Sequence, residues 1–208
     1  MSSSFPGNPR AVVASTFLER WLEEVVAAPG ATGIHDLGEA RRVLLDDALR
    51  AVPIVDGCSG PVIDVGSGGG SPGIPLAVAL PGRAFTLLEA ESRKCDFLGR
   101  ISAELPNVDV VWGRAEEQET DAFGVVLAKA LAKPPIAAEL CLPLVRPGGV
   151  AILWVGKSAD QDRVARVAEK LGSRLEDAAH GLLVLRKIEP TPAGFPRRPG
   201  MAQKRPLA

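Results

Sequence analysis

The sequence predicts an α/β fold: a mostly parallel seven-stranded sheet, helices on both faces, and a helical cap at the N-terminus. Two observations predict it. From Val62 onward, short apolar runs alternate with amphipathic stretches, the pattern of successive strand–helix units. At the first such junction stands a glycine-rich loop, Asp64-Val65-Gly66-Ser67-Gly68-Gly69-Gly70-Ser71-Pro72-Gly73-Ile74-Pro75. Glycine admits positive φ and lets a ligand approach the backbone, so a nucleotide-type ligand is expected where that loop leaves the sheet.

The elements follow in order. Ala11 to Ala28 reads as a helix, with Val13, Phe17, Trp21 and Val25 four residues apart and Pro29-Gly30 ending it; Phe5 to Pro9 reads as irregular. A second helix spans Leu37 to Val52, and Pro53 to Gly60 reads as a connector. The first strand is Val62 to Val65 and the first core helix Pro72 to Leu80, where free N–H groups are expected in the first turn. Ala84 to Glu89 is the second strand, Ser92 to Leu105 a helix, Val108 to Trp112 the third strand, and Phe123 to Leu127 the fourth, ending at Ala128-Lys129-Ala130. Pro135 to Val145 reads as a helix stopped by Arg146-Pro147-Gly148-Gly149; Val150 to Val155 is the fifth strand and Ser158 to Leu171 a helix. Arg174 to Ala178 and Leu182 to Ile188 read as a closing antiparallel pair around His180-Gly181. Pro190 to Ala208 carries five prolines and reads as a tail without regular structure. The expected organisation is a helical extension over 1–60, a core over 61–189 and a basic tail over 190–208, forming one globular unit.

Composition narrows the function classes. No apolar run reaches the roughly 20 residues that span a bilayer, and Met1-Ser2-Ser3-Ser4 lacks a basic-then-apolar leader, so a cytoplasmic protein with no membrane partner is expected. Cys58, Cys95 and Cys141 stand far apart and His35 and His180 stand alone, so no metal site or disulfide framework is expected. The chain total is −1, yet Arg186 to Ala208 carries six bases and one acid, a net of +5, leaving −6 for the remainder. A basic tail on an acidic body suits a polyanion.

Two cofactor classes fit the glycine loop. Gly68 to Gly73 satisfies the G-x-G-x-x-G spacing of a dinucleotide site. Asp64, however, ends the strand just before the glycines, where a carboxylate repels pyrophosphate and attracts a cation. S-adenosylmethionine carries a sulfonium and an amine and no phosphate, and Asp64-x-Gly66-x-Gly68-x-Gly70 resembles the first motif of class I methyltransferases, which are Rossmann-like. Glu89 stands 23 residues after Gly66, near the offset at which an acid meets ribose hydroxyls. Gly113-Arg114-Ala115-Glu116 falls at the end of the third strand, beside an adenine.

Several stretches together resemble the bacterial glucose-inhibited division protein B family, methyltransferases of a guanine N7 in small-subunit ribosomal RNA. They are the run Ile63 to Ala77, Leu87-Leu88-Glu89 with Lys94 and Phe97-Leu98, Arg114-Ala115-Glu116, and Glu139 to Val145. Arg186-Lys187 and the tail, with Thr191-Pro192, Phe195 to Gly200 and Lys204 to Leu207, complete the set. The resemblance implies a seven-stranded class I fold with the cofactor touching Gly66, Ser71, Ala115-Glu116 and Lys129. The chain departs from the family's usual residues at Ser71 (bulky apolar), Lys129 (arginine), Leu44 (histidine) and Gly30-Ala31-Thr32 (Asn-Leu-Thr).

Guanine N7 already presents a lone pair, so this chemistry needs alignment rather than a base. Expected cofactor contacts are therefore Asp64, Gly66, Gly68, Gly70, Ser71, Glu89, Ala115, Glu116 and Lys129. Lys129 and Arg114 are the catalytic candidates, holding RNA or the cofactor carboxylate, and Arg197, Arg198, Lys204 and Arg205 the RNA contacts. Other methylations leave marks that are missing here. Lys133-Pro134-Pro135-Ile136 lacks the flanks of an amino-methylating motif, and none of the three cysteines sits as a nucleophile. The expected partner is small-subunit ribosomal RNA or its particle, bound by a monomer. The alternatives are a methyltransferase of a small molecule or protein, and a non-catalytic RNA-binding relic.

Overall fold

The structure is a computed structural model that describes residues 9–179 and 181–208. The expected leaderless start, the irregular run from Phe5 up to Asn8, and His180 lie outside the described residues. Strands β1 (Val62–Val65), β2 (Phe85–Glu89), β3 (Val108–Trp112), β4 (Phe123–Lys129), β5 (Val145–Trp154), β6 (Ser173–Ala179) and β7 (Leu182–Lys187) form one sheet in the order β3-β2-β1-β4-β5-β7-β6. β1 to β5 pair in parallel; β7 runs antiparallel between β5 and β6. This is the doubly covered arrangement expected from the sequence. All four residues of β1 are buried, as a central parallel strand requires.

Alternation along the strands sorts the core into two faces. Ile63, Val65, Leu88, Val126, Ala128, Ala151 and Leu153 point to the side covered by α7 (Pro134–Cys141) and α8 (Gln161–Lys170). Val62, Phe85, Leu87, Val125, Leu127 and Ile152 point to the other side. There lie α1 (Pro9–Ala27), α4 (Val52–Asp56), α5 (Gly73–Ala79) and α6 (Ser92–Ser102), with Trp21, Val25, Ile74 and Leu98 fully buried between them.

The N-terminal cap is built as expected, with one addition. α2 (Leu37–Ala40) and α3 (Asp47–Leu49) are joined by a π-helical stretch, Arg41–Asp46, into one rod over 37–49. π-helical turns are rare and cluster at functional sites. Three other readings are corrected. The Pro53–Gly60 connector contains α4, because Pro53 sits where a helix start tolerates its missing N–H and Val55 buries in the core. Arg146 to Gly149 is no helix stop: β5 begins at Val145, which pairs with Phe123 before a bulge, and Gly148 with φ 84 carries the bend. The tail contains α9 (Met201–Lys204) and is docked: Phe195, Leu207 and Ala208 pack on the α7/α8 core.

Candidate active site

The glycine loop leaves β1 toward α5. Gly66 (φ 72), Gly68 (φ 54) and Gly70 (φ 101) take conformations that side chains resist. The loop starts on β2, with the Gly66 and Ser67 N–H groups donating to the Leu88 carbonyl, and Trp21 Nε1 of α1 donates to the Gly69 carbonyl at 2.9 Å. Around it opens a cleft of about 700 Å³. Its floor is the carboxyl ends of β1, β2 and β4. Its walls come from both ends of the chain: Gly30 to Ile34 with Val43 and Leu44 on one side, Gly200, Ala202 and Gln203 on another.

Of the nine expected cofactor contacts, Gly66, Gly68, Ser71, Glu89, Ala115, Glu116 and Lys129 line this one cleft, as does Arg114. Asp64 and Gly70 do not. Asp64 is fully buried under α5, and its Oδ2 accepts the Gly73 N–H at 3.0 Å. Burial pushes its carboxyl up to about 7, against the lowering effect of the Gly73 and Ser67 hydrogen bonds, and its Oδ1 has no partner among the described residues. Asp64 therefore anchors the loop and does not reach a ligand in the cleft. Gly70 turns inward: a Cβ there would sit 2.4 Å from Ile74 Cδ1.

The expected free donors at the start of α5 are also absent. Gly73 N–H goes to Asp64, Ile74 N–H to the Gly70 carbonyl and Leu76 N–H to the Pro72 carbonyl, while Pro75 has none. A pyrophosphate would find nothing there to bind. Asp64 thus disfavours a dinucleotide by occupying one of these donors, the Gly73 N–H, rather than by facing the ligand.

Glu89 does face the cleft. Its Oε2 accepts the Gly68 N–H at 2.9 Å, and its Oε1 accepts the N–H groups of Ala90 and Glu91. That orients a carboxylate with one acceptor position left on Oε2 beside the loop, where an acid meets a ribose hydroxyl. The residues present fit S-adenosylmethionine: an acid for the ribose, a glycine cradle, and no phosphate site. On the far side of β1, Lys129 ends β4, and Ala130 (φ 55) turns the chain out of the sheet. Lys129 Nζ pairs with Asp47 Oδ2 at 3.0 Å and donates to the Val43 carbonyl. Ser71 Oγ donates to the Leu44 carbonyl at 2.7 Å. Three of the positions where the chain departs from the family pattern are thus brought to one spot, on the π-helical turn.

The family model described as rRNA small subunit methyltransferase G matches residues 15–179. The chain belongs to the GidB family. Among GidB relatives, the Ribosomal RNA small subunit methyltransferase G of Pelotomaculum thermopropionicum is 39% identical over 180 residues, 76% of this chain and 74% of that one. The protein of the same name from Moorella thermoacetica is 33% identical over 196 residues, 85% and 82% of the two chains. Among solved structures, a precorrin-6y C5,15-methyltransferase from Geobacter metallireducens gives a TM-score of 0.51 at 16% identity, over 76% of this chain and 90% of that one. M. jannaschii TYW2, solved with AdoMet, gives 0.50 at 18% identity, over 69% and 74%. Both show that the GidB chain has a class I methyltransferase fold.

The tail corrects one group of expectations. Arg197 is not a free cation: its guanidinium bridges the buried carboxylate of Glu139 (Nε to Oε1, 2.6 Å) and the Arg205 carbonyl. Lys187 is buried and donates to the Leu142 and Leu171 carbonyls and Thr191 Oγ1. Arg198, Lys204 and Arg205 are exposed. Sequence reasoning singled out Gly30-Ala31-Thr32 and Leu44 as family departures near the active face, but missed Ile34, Val43, Leu131 and the tail residues Gly200 and Gln203. The one signal available was Trp21, whose indole N–H needs a partner wherever it is buried.

Proposed function

We propose that this GidB-family protein transfers a methyl group from S-adenosylmethionine to N7 of a guanine in small-subunit ribosomal RNA. The observation that carries the reading is the cleft itself: glycine loop and Glu89 at one end, Lys129 at the other, in a chain whose GidB relatives are named as small-subunit ribosomal RNA methyltransferases. The bound cofactor supplies an electrophilic methyl. The protein's task is to exclude water and align that carbon with N7, and the cleft offers no group that has to remove a proton.

In this reading Gly66, Gly68, Ser71, Glu89, Ala115 and Glu116 hold the cofactor. Arg114, Arg198, Lys204 and Arg205 draw in the RNA backbone, and the partner is the RNA or its ribonucleoprotein particle, bound by a monomer in the cytoplasm. No helix among the described residues is long and apolar enough to cross a membrane, and no metal-ligand cluster occurs among them.

Calorimetry with S-adenosylmethionine, followed by tritium transfer into ribosomal RNA from a strain lacking this protein and mapping of the labelled base, tests the proposal. Saturable binding and label on a guanine N7 are expected. Absence of cofactor binding, or label on a pyrimidine or adenine, overturns it.

A further inference from the structure

Gly200, Ala202 and Gln203 line the cleft, although they belong to the end of the chain. They are held there from both sides. Before them, the Thr191 N–H donates to the Asp121 carboxylate at 3.0 Å, and the Arg197 guanidinium holds Glu139. After them, Leu207 and Ala208 pack on the α7/α8 core, and Lys170 Nζ donates to the Leu207 carbonyl at 2.6 Å. None of these anchoring residues lines the cleft itself.

Between the anchors, Gly200 takes φ 80, with nothing within 4 Å of a Cβ built on it. Space does not call for glycine there; backbone direction does. That direction aims the Gly200 N–H at Glu116 Oε1, 3.1 Å away. Glu116 is half-buried in the cleft wall, on the single helical turn Ala115–Glu117, and its Oε2 has no partner among the described residues. A free glutamate side chain loses rotamer freedom when it meets a ligand. The Gly200 N–H fixes this one beforehand and leaves one oxygen open, which is preorganisation.

We propose that the docked tail is a component of the cofactor site: Gly200 positions the Glu116 carboxylate, residues 200–203 wall the cofactor in, and tail docking and cofactor binding form one coupled equilibrium. The inference rests on the reading above that S-adenosylmethionine occupies this cleft with Glu116 against it. Such coupling is reciprocal. A docked tail tightens the hold on the cofactor, and bound cofactor holds the tail down by the same factor.

The test is hydrogen exchange read by mass spectrometry on the full chain, without and with S-adenosylmethionine at about 100 times its calorimetric Kd. In the free protein the tail amides over 199–205 should exchange faster than those of β7, through local undocking. With cofactor they should slow by about ten- to a hundredfold. Tail amides that keep their free-protein rate while β7 slows would overturn the inference, and so would a tail that opens only together with β7; this arm needs no variant to fold. In Glu116→Ala, cofactor affinity and tail slowing should fall together, and full slowing in that variant would overturn the role given to Gly200. A chain ending at Pro199, checked for folding by its melting, should bind S-adenosylmethionine more weakly by about tenfold or more. Unchanged affinity in that folded chain would also overturn the inference. No heat of binding to the wild type would instead remove the proposed function itself.

Discussion

Asp64 shows how a residue can matter to a site that it never touches. Its neutral form is favoured by burial, so its folded pKa of about 7 lies above the unfolded value near 3.8. The folded state keeps a proton that the unfolded chain releases. The resulting stabilisation is complete below the unfolded pKa and is lost as pH rises through about 7. Between pH 5 and pH 8 the wild type should lose about 2–3 kcal/mol more than Asp64→Asn does, read from urea unfolding at the two pH values. Neighbouring glycines give a contrast in the same loop. At Gly73 a Cβ would sit 2.3 Å from Leu87 Cδ2 and 2.8 Å from Asp64 Oδ2, whereas at Gly68 nothing lies closer than 3.9 Å. Gly73→Ala should therefore abolish cofactor binding by calorimetry, while Gly68→Ala costs only about 1 kcal/mol of left-handed backbone strain. The identities of the cleft residues were legible in the sequence because motif spacing fixes which strand end each occupies. The facing direction of Asp64 and Gly70 was not, because it depends on the helix packed above them.

At the scale of elements, the tail is the informative piece. Five prolines indicated no regular structure, and most of the segment is indeed irregular; composition says nothing about docking. What holds it are pairs far apart in sequence, Arg197 with Glu139 and Thr191 with Asp121, which no local pattern encodes. Arg197→Met would leave the Glu139 carboxylate buried without its partner, and should lower stability by about 3–5 kcal/mol in denaturant melts. Replacing Arg198, Lys204 and Arg205 with alanine together should leave melting and cofactor affinity intact while weakening RNA binding. The slope of log affinity against log salt should then shrink by about 2. The connector before β1 carries a similar hidden constraint. A Cβ on Gly124 would lie 1.8 Å from the Ser59 carbonyl oxygen, so Gly124→Ala should push the connector off the sheet and destabilise the fold more than Gly73→Ala.

For the molecule as a whole, the sheet was readable from the alternation of runs, because each parallel strand must be followed by a covering helix. The closure of the cleft was not readable, because its lateral walls are contributed by segments near residues 30 and 200 that no strand–helix rule relates. That closure has a bearing on biosynthesis. While residues 200–203 are still inside the exit tunnel, the methyl-donor site lacks a wall and the Glu116 carboxylate lacks the Gly200 N–H. The cleft therefore reaches its finished form only once the segment around residue 200 has emerged and docked against Glu116.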